Sequence, residues 1–93
     1  MNIWVIIAND DGFHAAPGVV LPRAYRTEES ALVEAGKRTM QVAEWQRKRP
    51  SVADPPQEYP ARVTAWRNAV RAALPDVPYE QATFTVQKLE VQP

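Results

Sequence analysis

The chain has no cysteine, a single histidine, three glycines and no net charge. Each shortage excludes something. Without cysteine there is no disulfide framework, no thiolate nucleophile and no cysteine-ligated zinc. The one histidine, His14, has no Ser, Asp or Glu at a recognisable triad spacing. Eleven basic side chains against eleven acidic ones leave no overall field to draw in nucleic acid or an anionic membrane. No apolar run approaches the roughly 20 residues of a membrane span, and residues 1–8 lack the basic flank and the length of a secretory leader. Gly12 and Gly18 do not make a phosphate loop, since no Lys-Ser/Thr pair follows them into a helix. The expectation is a cytoplasmic protein that uses no cofactor.

What is present is the material of one globular domain. Ninety-three residues, 45% hydrophobic and 24% charged, are enough to bury a core, and residues 1–93 are read as a single domain. Ile3 to Ala8 is an unbroken apolar run rich in β-branched side chains, stopped by the turn chemistry of Asn9-Asp10-Asp11-Gly12. It reads as a strand with two apolar faces, Ile3/Val5/Ile7 on one side and Trp4/Ile6/Ala8 on the other. Val19-Val20-Leu21 restores an extended run after a loop of roughly ten residues, so the two runs form a hairpin. Pro22 cannot donate to a ladder and places the second strand at an edge or a bulge.

Thr27 opens a helix as its N-cap, with Glu28 and Glu29 where the helix dipole favours negative charge. At 100° per residue, Ala31, Leu32, Ala35, Gly36, Thr39, Val42 and Ala43 gather on one face, the expected core stripe. Glu34–Arg38 and Glu44–Lys48 stand at the i,i+4 spacing of an exposed face, and Trp45 projects between Arg38 and Gln41 on that polar side. Pro50 ends the helix, and the segment 50–60, with four prolines, is a proline-rich loop. Pro60 starts a second helix whose stripe is Tyr59, Val63, Trp66, Val70, Ala73 and Leu74. The alternation of Ala82 to Val91 is a last strand, in which Leu89 and Val91 fall out of phase with Phe84 and Val86. A β-bulge near Gln87–Lys88 would reconcile them.

The order β-β-α-α-β predicts an α+β fold: a three-stranded antiparallel sheet, its N-terminal strand central, with two helices on one face. The other face is then open. If Trp4 and Ile6 point there, that face is apolar and wants a partner or a second copy, so a homodimer could form through it. The candidate partner-binding residues are Trp45, Arg38 and Gln41 on the first helix and Trp4 and Ile6 on the sheet. Tryptophan and arginine are the residues in which binding hot spots are enriched.

Two resemblances extend this reading. Ile3 to Ile7, Val19 to Tyr25, Arg26-Thr27-Glu28-Glu29 with Ala31, and Phe84 to Val91 give an outline that resembles small phage and prophage proteins of unknown function. The Pro50–Leu74 insert departs from the shorter members. Some proteins of that size and origin bind and block a host protein, including components of antiviral defence. Locally, Asn9-Asp10-Asp11-Gly12-Phe13-His14-Ala15-Ala16-Pro17-Gly18 is similar to the opening motif of the SurE family of metal-dependent nucleotidases. That resemblance implies Asp10 and Asp11 as ligands of a divalent cation that activates water and a phosphate ester. Ala16 is an extra residue against the motif, and no second βα unit follows Gly18, so a turn is the reading adopted.

Three function classes follow. A small non-enzymatic protein-binding module, of the kind that inhibits a host protein, is preferred because surface is plentiful and no catalytic constellation assembles. The alternatives are a metal-dependent phosphohydrolase using Asp10 and Asp11, and a nucleic-acid binder using Arg47-Lys48-Arg49 with the arginines of the second helix. Zero net charge argues against the last.

Overall fold

A computed structural model gives the fold and describes residues 1–10, 17–51, 56–77 and 81–92. Strand β1 spans Asn2–Asp10, β2 Val19–Tyr25, helix α1 Glu28–Arg47, α2 Tyr59–Ala73 and β3 Ala82–Glu90, with a short 3-10 turn at Pro56–Glu58 before α2. The sheet order is β2-β1-β3, antiparallel throughout, with the most apolar strand in the middle as its two greasy faces require.

β3 pairs with β1 in unbroken register from Asn2 opposite Glu90 to Asp10 opposite Ala82. The bulge expected near Gln87–Lys88 is therefore absent. Leu89 lies opposite Ile3, so the slip in phase is a change of face, and Leu89 finds an apolar neighbour there without any backbone irregularity. β2 is the irregular strand. Its register shifts between Val5 and Ile7, which pair with Ala24 and Val20, so Leu21, Pro22 and Arg23 together stand opposite Ile6. Pro22 sits both on an edge strand and inside a bulge, where a missing N–H costs least.

The pleat then decides which set of β1 faces the helix. Ile6 and Ala8 form a core cluster with Leu21 and Ala35, and Tyr25, Phe84 and Val86 pack around it. Ile6 is only 1% exposed. Trp4 and Ile6 thus lie on the α1 side, and the open face expected to carry them is carried by Ile3, Val5 and Ile7 instead. Both sets are apolar, so composition alone could not choose; the small side chain of Ala35 on α1 fits against the Ile6/Ala8 set.

α1 starts where the sequence places it. Thr27 is extended, and its Oγ1 accepts the Ser30 backbone N–H at 3.1 Å, with Glu28 and Glu29 in the first turn. Its buried residues are Ala31, Ala35 and Val42. Leu32, Gly36, Thr39 and Ala43, expected in the core stripe, are exposed. The buried face is rotated towards Arg38 and Trp45, because α2 and the turn after it dock on that side. Val42 clusters with Leu74, Val77 and Ala82, with Trp45 and Phe84 against them. α2 buries Val63, Trp66 and Val70, with its proline in the first turn.

Val42 sits over the Ala82 end of the sheet, and Trp45 and Trp66 meet one turn farther on. The α1–α2 hairpin therefore continues past the sheet. The molecule is long for its size: its radius of gyration is 15.9 Å, against about 12 Å for a compact chain of this length, and it measures 58 × 22 × 18 Å.

Two glycines test this packing in opposite directions. A Cβ on Gly18 would meet Ile7 Cγ2 at 2.7 Å and Asn9 Oδ1 at 3.0 Å, and the β-branched Ile7 in the central strand has little room to yield. A Cβ on Gly36 would meet nothing within 4 Å among the described residues. Gly18→Ala should destabilise the fold by about 1–3 kcal/mol, as overpacking does. Gly36→Ala should stabilise it by about 0.5–1 kcal/mol, the propensity difference in a helix interior. Urea denaturation of the two variants checks both signs.

Candidate functional site

The candidate residues of α1 fall into one column that faces α2. Arg38 donates from Nη1 to Asp76 Oδ1 in the turn after α2, and its Nε lies 3.5 Å from Glu34 Oε1 one helical turn back. The Arg38 and Asp76 side chains are about three-quarters covered. Their hydrogen bond, followed by their opposite charges, holds Asp76 below the ordinary carboxylate range and keeps Arg38 protonated above its own ordinary range, against the cost of burial. This pair ties α1 to the end of α2. It frames an open cleft of about 420 Å³ lined by Glu34, Arg38, Gln41, Leu74, Pro75 and Asp76. Gln41 is exposed on its rim.

Trp45 is half-buried in the seam between the helices, packed against Val42, Leu74, Val77 and Ala82. Its carbonyl, in the last turn of α1, accepts the Trp66 indole N–H at 2.9 Å and the Lys48 N–H at 3.1 Å. A helix end leaves such carbonyls without intrahelical partners, and the buried indole needs an acceptor, so one contact satisfies both. The basic cluster folds back on the same pair. Lys48 Nζ stands 4.8 Å from the Trp45 ring centroid, and the Arg49 guanidinium 5.5 Å from that of Trp66. Arg47 turns its Nε to the Ala43 carbonyl at 3.4 Å. Lys48 and Arg49 thus cover aromatic rings at the α1 terminus, where positive charge also complements the dipole.

Trp4 is half-buried on the helix side of the sheet, across from Tyr25 and Lys88, and Ile6 is in the core beneath α1. The candidates therefore separate. Arg38 and Gln41 share the cleft, Trp45 joins the seam beside it, and Trp4 and Ile6 lie elsewhere in the sheet layer. Of the Asn9–Gly18 loop, Asp10 is the last residue of β1, half-buried and opposite Ala82. Asp11 and His14 lie outside the described residues. Among the described residues, no group of three metal-ligating side chains comes together.

The far face of the sheet was expected to be open, but it carries the other set of β1 residues. Ile3, Val5 and Ile7 run along its centre, with Val20 and Ala24 beside them on β2 and Leu89 on β3. Asn9 closes one end, donating from Nδ2 to Thr85 Oγ1 at 3.1 Å and to the Ile7 carbonyl at 3.3 Å. Val91 is tied to the other end by its N–H bond to the Met1 carbonyl at 2.8 Å. Val20, 55% exposed, and Leu89, Val91 and Met1 leave apolar surface in water. Among the described residues, neither helix covers this face: α1 packs on the other side. The signal in the sequence was the odd phase of Leu89 and Val91, which matches Ile3.

Comparison with protein-family models, with curated proteins and with solved structures found no match.

The seam and the ion pair make two measurable statements. Trp66→Ala should cost about 3–5 kcal/mol, and Trp66→Phe about 1 kcal/mol for the lost N–H···O bond. Trp45→Ala should also destabilise, by about 2 kcal/mol, in proportion to its half-buried area. Thermal melts of the three variants rank them. For Asp76, a folded-state pKa below the unfolded value means that its contribution is complete above about pH 4 and is lost as pH falls through the folded pKa. Asp76→Asn should therefore cost about 1 kcal/mol at pH 7, and the gap to the parent protein should close in melts taken progressively below pH 4.

Proposed function

We propose that this protein is a small non-enzymatic protein-binding module whose far sheet face receives a partner protein. The observation that carries the reading is that face. Its centre is Ile3, Val5 and Ile7, its flanks are Val20 and Leu89, and the helices pack on the opposite side. Val5 is buried and Ile3 and Ile7 are half-buried, so the exposed apolar area of the face comes from Val20, Leu89, Val91 and Met1. These stand beside the exposed Thr83, Thr85 and Gln87, a mixture of apolar and polar side chains of the kind that interaction sites present. The electrostatics agree with this division of labour. Arg38 and Asp76, whose pKa values are displaced, pair with each other and join α1 to the turn after α2. The resemblance to phage and prophage proteins adds a kind of partner: a host protein, such as a component of antiviral defence, that is bound and blocked.

Val20 and Leu89 are exposed, so Val20→Lys with Leu89→Lys should leave the melting temperature within a few degrees of the parent. The same double variant should lose a partner retained by the parent in a pull-down from host lysate read by mass spectrometry, with affinity falling at least ten-fold once that partner is purified. Arg71→Glu, on exposed α2 surface, serves as the control and should keep it. A partner held equally by the parent and the lysine variant would remove the sheet face from the reading. Divalent-cation-dependent phosphatase activity abolished by Asp10→Asn would replace the binding module with an enzyme.

A further inference from the structure

The outer side of α1 carries a surface that the fold leaves unused. Val33 and Met40 stand directly opposite Ala31 and Val42, and Leu32, Gly36 and Ala43 continue that surface around one flank, all five exposed. Leu32 is 53%, Val33 55% and Met40 73% open to solvent. At 100° per residue the five lie within about a third of the circumference. From Val33 through Gly36 and Met40 to Ala43 the steps are three, four and three residues, the spacing of a seam between two helices. Around Met40 the surface dips into an open depression of about 390 Å³ lined by Lys37, Met40, Gln41, Ala43, Glu44 and Arg47.

Gly36 sharpens the point. Glycine weakens a helix interior relative to alanine, and a Cβ here would meet nothing within 4 Å among the described residues. None of those residues calls for glycine at this position. A second backbone lying close against it would.

The charges choose the occupant and its direction. Lys37 and Glu44 lie on the same flank of the apolar arc, seven residues apart and nearly symmetric about Met40. Lys37 pairs with no carboxylate among the described residues, and Glu44 meets only the exposed Lys48, at 3.8 Å. In an antiparallel helix pair related by a two-fold axis, like flanks meet. Lys37 then stands against Glu44 of a second copy, twice per pair, and Met40 enters the depression beside Met40 of the other chain. In a parallel pair this flank would meet the opposite one, Leu32, Thr39 and Ala43, which offers no charge.

We propose that α1 pairs antiparallel with α1 of a second copy about Met40, held by Val33, Met40 and Ala43 and set in register by two Lys37–Glu44 ion pairs. The surface is distinct from the far sheet face and does not depend on a partner binding there. Val33 to Arg47 spans about 21 Å of helix, so the contact is smaller than a standard interface and the dimer is weak and reversible.

Sedimentation of the full chain from about 1 µM to about 1 mM tests this, with circular dichroism as the check on folding. The expected result is a concentration-dependent species of twice the 10.5 kDa chain mass. Lys37→Glu and Glu44→Lys should each weaken it about ten-fold or more, and the two together should restore it. The Val20→Lys, Leu89→Lys protein should dimerise as the parent does. A monomer across the whole range overturns the proposal. So does a dimer indifferent to either charge reversal, or a double reversal that stays as weak as the singles.

Discussion

The seating of α1 on β1 is the constraint on which the remaining structure depends. Ala35 meets the sheet in one cluster with Ile6, Ala8 and Leu21, Ala31 one turn earlier is fully buried, and residues this small let a helix lie low against the strands. Such a contact buries modest area per residue, so it settles the distance of the helix better than its rotation. The rotation is settled elsewhere. Arg38 reaches Asp76 at the end of α2, and the Trp45 carbonyl takes the Trp66 indole N–H, so the Arg38/Trp45 side of α1 is turned inward. Once it is turned, Leu32, Gly36 and Ala43 are carried out of the core and left beside Val33 and Met40. One docking event inside the molecule thereby creates the apolar stripe on its outside.

The architecture was legible because β1 has only one consistent place. An apolar strand with two apolar faces belongs in the middle, Pro22 belongs on an edge, Thr27 caps a helix and Pro60 starts one; each is a local rule with a local cause. What was not legible were choices between equivalents. Ile3/Val5/Ile7 and Trp4/Ile6/Ala8 are alike in hydrophobicity, and only the partner elements decide which set faces α1. The helical stripe of α1 contains mostly small residues, whose weak amphipathic signal permits a rotation of a quarter turn or so. Arg38 and Trp45 were read as exposed because they fall on the polar side of that stripe. They are largely covered because a salt bridge and an indole hydrogen bond, both made across long sequence separations, pull that side in.

The tip formed by Trp45, Trp66, Lys48 and Arg49 shows how the hairpin remains ordered beyond the sheet. A helical pair without a sheet beneath it has little area to bury, and two tryptophans supply more per residue than aliphatic side chains would. Their open faces are then covered by the cations at the α1 terminus. The three consecutive basic residues, which in isolation suggest a nucleic-acid patch, are divided between ring faces and a backbone carbonyl. Neutral overall charge and this local use of cations point the same way: the basic residues at the end of α1 serve contacts within the chain.

Two apolar surfaces remain, and their geometry separates their roles. The far sheet face is broad, two-dimensional and bordered by threonine and glutamine, which suits a shaped partner with many small contacts. The outer stripe of α1 is narrow, one helix wide and flanked by a single complementary charge pair, which suits another copy of the same helix. They lie on opposite sides of the layered molecule, because α1 stands between its own outer stripe and the sheet, whose far side neither helix covers among the described residues. A dimer through α1 would therefore point two sheet faces away from each other and leave both free. Association of copies and capture of a partner are then compatible, and a partner presenting two such sites would be bound with the combined strength of both faces.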